Sequence, residues 1–135
     1  MTEELYRDEY GALLHDPDRG VLELSWYEQT ESMRDEEFMA WLDRYAGAAE
    51  DHKVRGLLVD LTSFKGQPGE QTGPWRDEHI IPRYNGAGVQ RMAYLLAEGS
   101  PGTVESGGEP SPEPGARFPT GYFGTRERAE SWLTE

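Results

Sequence analysis

From Tyr10 to Tyr27 the distribution of apolar and polar residues predicts a hairpin. Ala12, Leu13 and Leu14 lead into His15-Asp16-Pro17-Asp18-Arg19-Gly20. Pro17 fixes φ and Gly20 admits a positive φ, which suits a turn. In the second arm Leu22, Leu24 and Trp26 alternate with Glu23 and Ser25, the period-two signature of a half-buried strand. The period then lengthens. Phe38, Trp41, Leu42, Tyr45 and Ala49 recur at helical spacing and predict a helix of about five turns over Met33 to Asp51. Ser32 is its expected N-cap, with Asp35, Glu36 and Glu37 in the first turn, where the helix dipole favours acids.

Gly56-Leu57-Leu58-Val59-Asp60-Leu61 is a short, nearly continuous apolar run, as expected of a central strand covered on both faces. It follows one predicted helix and precedes another, so a βαβ unit with parallel strands is expected. Thr62 to Gly73 reads as a connection. A helix over Pro74 to Tyr84 follows, with Pro82 bending or ending it. Asn85-Gly86-Ala87-Gly88 closes it, and Val89 to Ala97 is the next strand. The stretch 98–117 carries seven Pro or Ser and five Gly in twenty residues, so it reads as a long flexible loop. Phe118 to Phe123 adds a short edge strand. Thr125 caps a final helix with Ala129, Trp132 and Leu133 on one stripe. The expectation is a single α/β domain over residues 1–135, with helices packed on a mixed, mainly parallel sheet of about five strands.

Composition narrows the function. There are 26 Asp and Glu against 13 Lys and Arg, a net charge of −13, which repels nucleic-acid phosphates and anionic membrane surfaces. Eleven of the bases are Arg and two are Lys, a bias that fits either high-salt adaptation or a GC-rich genome. The absence of cysteine removes disulfides, thiolate catalysis and Cys-ligated metal centres. The start, Met1-Thr2-Glu3-Glu4-Leu5, has no apolar run, so neither a signal peptide nor a membrane span is expected and a cytoplasmic setting is inferred.

Candidate chemistry is sparse. There is no Gly-x-Ser-x-Gly elbow, and Ser100, Ser106 and Ser111 all lie in the flexible stretch. His15, His52 and His79 include no pair at the spacing that puts two imidazoles on one helical face, and no metal or other cofactor is expected. Gly66, Gly69 and Gly73 lie between a strand and a helix, where backbone N–H groups can meet a phosphate, but they match neither common glycine pattern and read instead as a flexible connection that needs glycine for its turns. Trp75, His79 and Arg83 fall at i, i+4 and i+8 and so line one helix side, beside the carboxyl end of a central strand where α/β proteins place ligands. Ile80, Ile81 and Tyr84 take the core side. The plain alternative is an amphipathic helix whose Arg83 complements the dipole.

These residues carry a family resemblance. Leu57-Leu58-Val59-Asp60-Leu61-Thr62-Ser63-Phe64 resembles the strand-plus-Asp element of STAS domains, the anti-sigma-factor antagonist fold. Trp75-Arg76-Asp77-Glu78-His79, Met92-Ala93-Tyr94-Leu95, and Tyr122-Phe123 followed by Glu127, Ala129, Trp132 and Leu133 resemble a branch of small bacterial STAS-like proteins. The resemblance spans Val21 to Leu133 and implies regulation by protein contact, with some relatives cradling a nucleotide or lipid. It also implies a phosphorylation site at a helix N-terminus. The family's Asp-Ser-Ser/Thr-Gly motif is absent, and Thr72 in Pro68-Gly69-Glu70-Gln71-Thr72-Gly73 is its nearest counterpart. The resulting expectation is a non-enzymatic STAS-like regulatory or binding module. It would contact a protein partner or a small-molecule or lipid ligand through Trp75, His79 and Arg83. A homodimer is compatible with it. The alternatives are a small-molecule enzyme with His79 as base, and a carrier with an internal apolar cavity.

Overall fold

The computed structural model describes residues 2–135; Met1, part of the N-terminal reading above, lies outside them. One sheet organises the chain. Its strands are β1 (Glu3–Arg7), β2 (Gly11–Asp16), β3 (Val21–Trp26), β4 (Gly56–Asp60), β5 (Arg91–Leu95), β6 (Ser111–Pro112) and β7 (Pro119–Phe123), in the order β1-β2-β3-β4-β5-β7-β6. β3, β4, β5 and β7 run parallel, while β1, β2 and β6 are antiparallel to their neighbours. The sheet is therefore mixed and parallel in the middle, with seven strands where about five were expected. The two extra strands lack a readable pattern. All five β1 residues are exposed, and β6 is two exposed residues. With β6 outside it, β7 is not an edge strand.

The predicted hairpin is β2–β3, in register from Gly11↔Trp26 to Asp16↔Val21. Gly20 at φ 70° closes its turn, and its carbonyl accepts from the backbone N–H groups of Arg55 and Gly56, at 2.9 and 3.0 Å. The turn thereby fixes where β4 begins. Strand alternation sends Leu22, Leu24, Trp26, Leu57, Val59 and Met92 to one face, where they pack with Trp41, Tyr45, Ile80 and Tyr84. Val21, Leu58, Ala93, Leu95 and Phe123 go to the other face, against Ala129 and Leu133. The first face is covered by α1 (Asp35–His52), α2 (Thr72–His79) and α3 (Ile81–Ala87), the second by α4 (Arg126–Leu133). β4 is buried between the two layers, as its unbroken apolar run predicts.

Local chemistry sets the helix ends. Ser32 falls in a short 3-10 turn, Glu28–Ser32, so α1 starts after Arg34. The Glu37 carboxylate accepts the Arg34 backbone N–H at 2.8 Å, taking over the capping expected of Ser32. Thr125 caps α4 as expected, its hydroxyl accepting from the Arg128 N–H at 3.3 Å. The helix expected over 74–84 is two pieces meeting at Ile80. Pro82 has no N–H for the Glu78 carbonyl and sits in the first turn of α3, where proline fits.

Candidate functional site

The break at Ile80 divides the predicted helix face. Trp75 and His79 stay together on α2, ring centroids 5.7 Å apart, with the His79 side chain exposed. Arg83 on α3 turns to α1. Its Nη1 lies 2.6 Å from Asp43 and its Nη2 2.8 Å from Glu50, so it straps α3 onto α1. The hydrogen bonds from Arg83 hold Glu50 below the usual carboxylate range. Thr72 is 5% exposed, and its hydroxyl donates to the Gly69 carbonyl at 2.7 Å. The glycine-rich connection already has an acceptor. Asp35 receives the Gly69 N–H at 3.0 Å and is also hydrogen-bonded to the Gln71 side-chain amide.

The stretch 98–117 is tied down at several points. Thr103 is fully buried, and Glu105 accepts the Gly124 N–H at 2.9 Å, at the start of α4. The Asn85 side chain donates to the Gly115 carbonyl and accepts the Arg117 N–H, both at 2.9 Å. Between these ties, Glu113 reaches across to Arg76 of α2, with 2.8 Å between carboxylate and Nη1.

Arg76 opens onto a cavity of about 210 Å³ at the carboxyl ends of β3, β4 and β5. This is where parallel sheets place ligands. Leu24, Val59 and Met92 form its sheet wall, and Leu42 belongs to the opposite wall on α1. Its aromatic side is a cluster of Trp26, Phe38 and Phe64, with Trp26 centred 5.8 Å from Phe38 and 5.4 Å from Phe64. Parity explains the sheet wall, because Leu24, Val59 and Met92 are inward positions. Larger hollows of about 490 and 520 Å³ lie along α4; the first mixes Val104, Pro110, Phe123 and Trp132 with Glu127, Arg128 and Glu135, and the second is lined mostly by charged groups, Arg19, Arg126, Glu127 and Glu130.

The polar side chains of the cavity are few. Tyr45 is committed to the sheet, its hydroxyl within hydrogen-bond distance of the Leu22 and Leu58 carbonyls, at 2.8 and 3.1 Å. Arg76 Nη2 donates to the Tyr94 hydroxyl at 2.8 Å. Burial works against the Arg76 charge, but Tyr94 and Glu113 outweigh it and hold the guanidinium above its ordinary range. Tyr84 is fully buried, and its hydroxyl finds no partner among the described residues. Burial pushes both the Tyr84 and Tyr94 phenols up, so both stay protonated. The described cavity lining includes no Ser, Cys, His or carboxylate side chain. Among the described residues no group of His, Cys, Asp and Glu is placed to hold a metal ion, and no helix is long and apolar enough to cross a membrane.

Sequence reasoning placed Tyr84 on the core side but did not single out Arg76, Tyr94 or Glu113 as site residues. One signal was present: Arg76, Ile80 and Tyr84 share the i, i+4, i+8 spacing, which sets a charge on the buried stripe. Compared with protein-family models, curated proteins and solved structures, the chain finds no match.

Proposed function

We propose that this chain is a non-enzymatic, STAS-like binding module that takes a small, largely apolar ligand in the cavity at the carboxyl ends of β3–β5. The observation that carries this reading is the cavity itself, about 210 Å³ of space between well-packed layers. The cavity opens to solvent past Leu61, Phe64 and Pro68, and its apolar and aromatic wall is surface that a bound apolar group would take out of water. Its size exceeds the ~150 Å³ cavity that accepts benzene, so one ring with a short arm fits. The aromatic wall and the buried, unpartnered Tyr84 hydroxyl suit an apolar body with a polar end. The lining lacks a nucleophile activated by a base, which favours binding over turnover. The mixed sheet and the Leu57–Phe64 element are compatible with STAS-like kinship, which this reading adopts as a proposal.

Toluene titrated into the protein tests it by methyl NMR. Methyl signals of Leu24, Leu42, Val59 and Met92 should move, while those of Val21 and Leu133 across the sheet stay in place. Val59→Phe, which fills the space, should abolish the response and keep the cooperative melt. Absence of any shift in the wild type, or equal shifts on both faces, would overturn the proposal.

A further inference from the structure

We propose that Arg76, Tyr84 and Tyr94 form a carboxylate receptor in the cavity wall, and that Glu113 occupies Arg76 in the ligand-free protein as an internal competitor. The inference rests on the cavity reading and names the head group of its ligand.

The Tyr94 hydroxyl accepts an Arg76 N–H, so its own proton is left to give. The Tyr84 hydroxyl is buried without a partner. A guanidinium carries five N–H groups, and Arg76 uses three of them, on Glu113, on Tyr94 and toward the Met92 sulfur at 3.8 Å, which leaves the Nε N–H and one on Nη1. Arg76, Tyr84 and Tyr94 therefore all present donors to the same space. The matching ligand atom is an acceptor, and a carboxylate offers two oxygens with about four lone-pair sites.

Glu113 is a poorly satisfied occupant. One oxygen meets Arg76 at 2.8 Å; the other, Oε1, is buried and finds no partner among the described residues. Leaving a buried acceptor unpaired costs about 1–3 kcal/mol, more for a charged group. Swinging Glu113 into water removes that cost. The backbone need not leave with it. β6 pairs with β7 before Glu113, and Asn85 holds Gly115 and Arg117 after it. Exchange also preserves charge balance, because the ligand carboxylate neutralises Arg76 as Glu113 did. A ligand carboxylate added without displacing Glu113 would leave a net negative charge in a desolvated site.

The test is calorimetric binding of two matched probes, hydrocinnamate and its neutral amide, to the wild type, Glu113→Gln and Arg76→Gln. Hydrocinnamate should bind Glu113→Gln about tenfold or more tighter than the wild type, while the amide changes by less than about twofold. Arg76→Gln should lose the acid and keep the amide. NMR of the Glu113 carboxyl carbon in the wild type gives a readout without substitution, since saturating acid should move that signal to its solvated position. If acid and amide bind all three proteins alike, the receptor is refuted and the cavity reading stands. If neither probe binds while toluene enters, the receptor again fails alone. If toluene also fails to enter, both readings fall.

Discussion

Arg83 and His79 stand four residues apart on what one continuous helix would make a single face, yet they differ in what they touch. Arg83 meets two carboxylates of α1, with its side chain 30% exposed, whereas the exposed His79 has Glu78 at 3.9 Å and the Trp75 ring 5.7 Å away, both on its own helix. Partly exposed ion pairs are each worth about 0–1 kcal/mol. Arg83→Met should therefore cost about 1 kcal/mol in urea unfolding, and His79→Ala should stay within about 0.5 kcal/mol. Equal losses would mean that the α1–α3 strap is not what Arg83 contributes. The same residues show how legible the site was. Spacing arithmetic grouped Trp75, His79 and Arg83 correctly for an unbroken helix, and the break at Ile80 undid the grouping. Arg76 could have been noticed as a charge in register with Ile80 and Tyr84. Glu113 could not, because its partner lies 37 residues away and its neighbours are Pro112 and Pro114.

Among the elements, those with one buried face were legible: α1, β3 and α4 each carry a period that burial imposed. β4 announced itself by the absence of a period, being covered on both faces. β1 was not legible because no face of it is buried, so nothing in its residues distinguishes strand from coil. α1 supports two predictions. Gly47 lies within it, and a Cβ there would meet the Arg83 guanidinium at 3.5 Å, an ordinary contact. Gly47→Ala should raise stability by about 0.5–1 kcal/mol in urea unfolding, through helix propensity and a less mobile unfolded chain. A loss would place a clash at the Arg83 strap. The Arg34 backbone N–H holds the Glu37 carboxyl below its ordinary value of 4.5, and the Arg83 hydrogen bonds do the same for Glu50. A carboxyl depressed on folding stabilises the native state above its unfolded value, and that contribution disappears as pH falls through the folded one. The urea midpoint should therefore decline as pH falls below 4.5. Glu37→Gln should make the decline shallower; an unchanged slope would remove Glu37 from the α1 terminus as a source of acid sensitivity.

Over the whole molecule, the two-layered sheet follows from apolar patterning, but the charge does not follow from the fold. With 26 acids and 13 Lys or Arg, at least half the carboxylates have no basic side chain to themselves. The bases present are shared. Arg126 meets Glu23 at 2.8 Å and Asp60 at 3.0 Å, with Glu130 at 3.4 Å, so one guanidinium serves three carboxylates across the α4 face. Exposed pairs such as Arg7–Glu4 contribute little, whereas the surplus negative charge repels itself in the compact state. Salt acts on both terms and shortens the reach of each. The Debye length falls from about 30 Å at 0.01 M to about 3 Å at 1 M. Because repulsion extends over the whole surface and the favourable contacts are close and partly shielded, screening should remove more repulsion than attraction. The melting temperature should rise by roughly 3–6 °C between about 0.02 and 0.5 M sodium chloride. A fall over the same range would mean that the shared arginine pairs outweigh the acidic surplus, and the Arg126 cluster would then be the place to look for the lost stability.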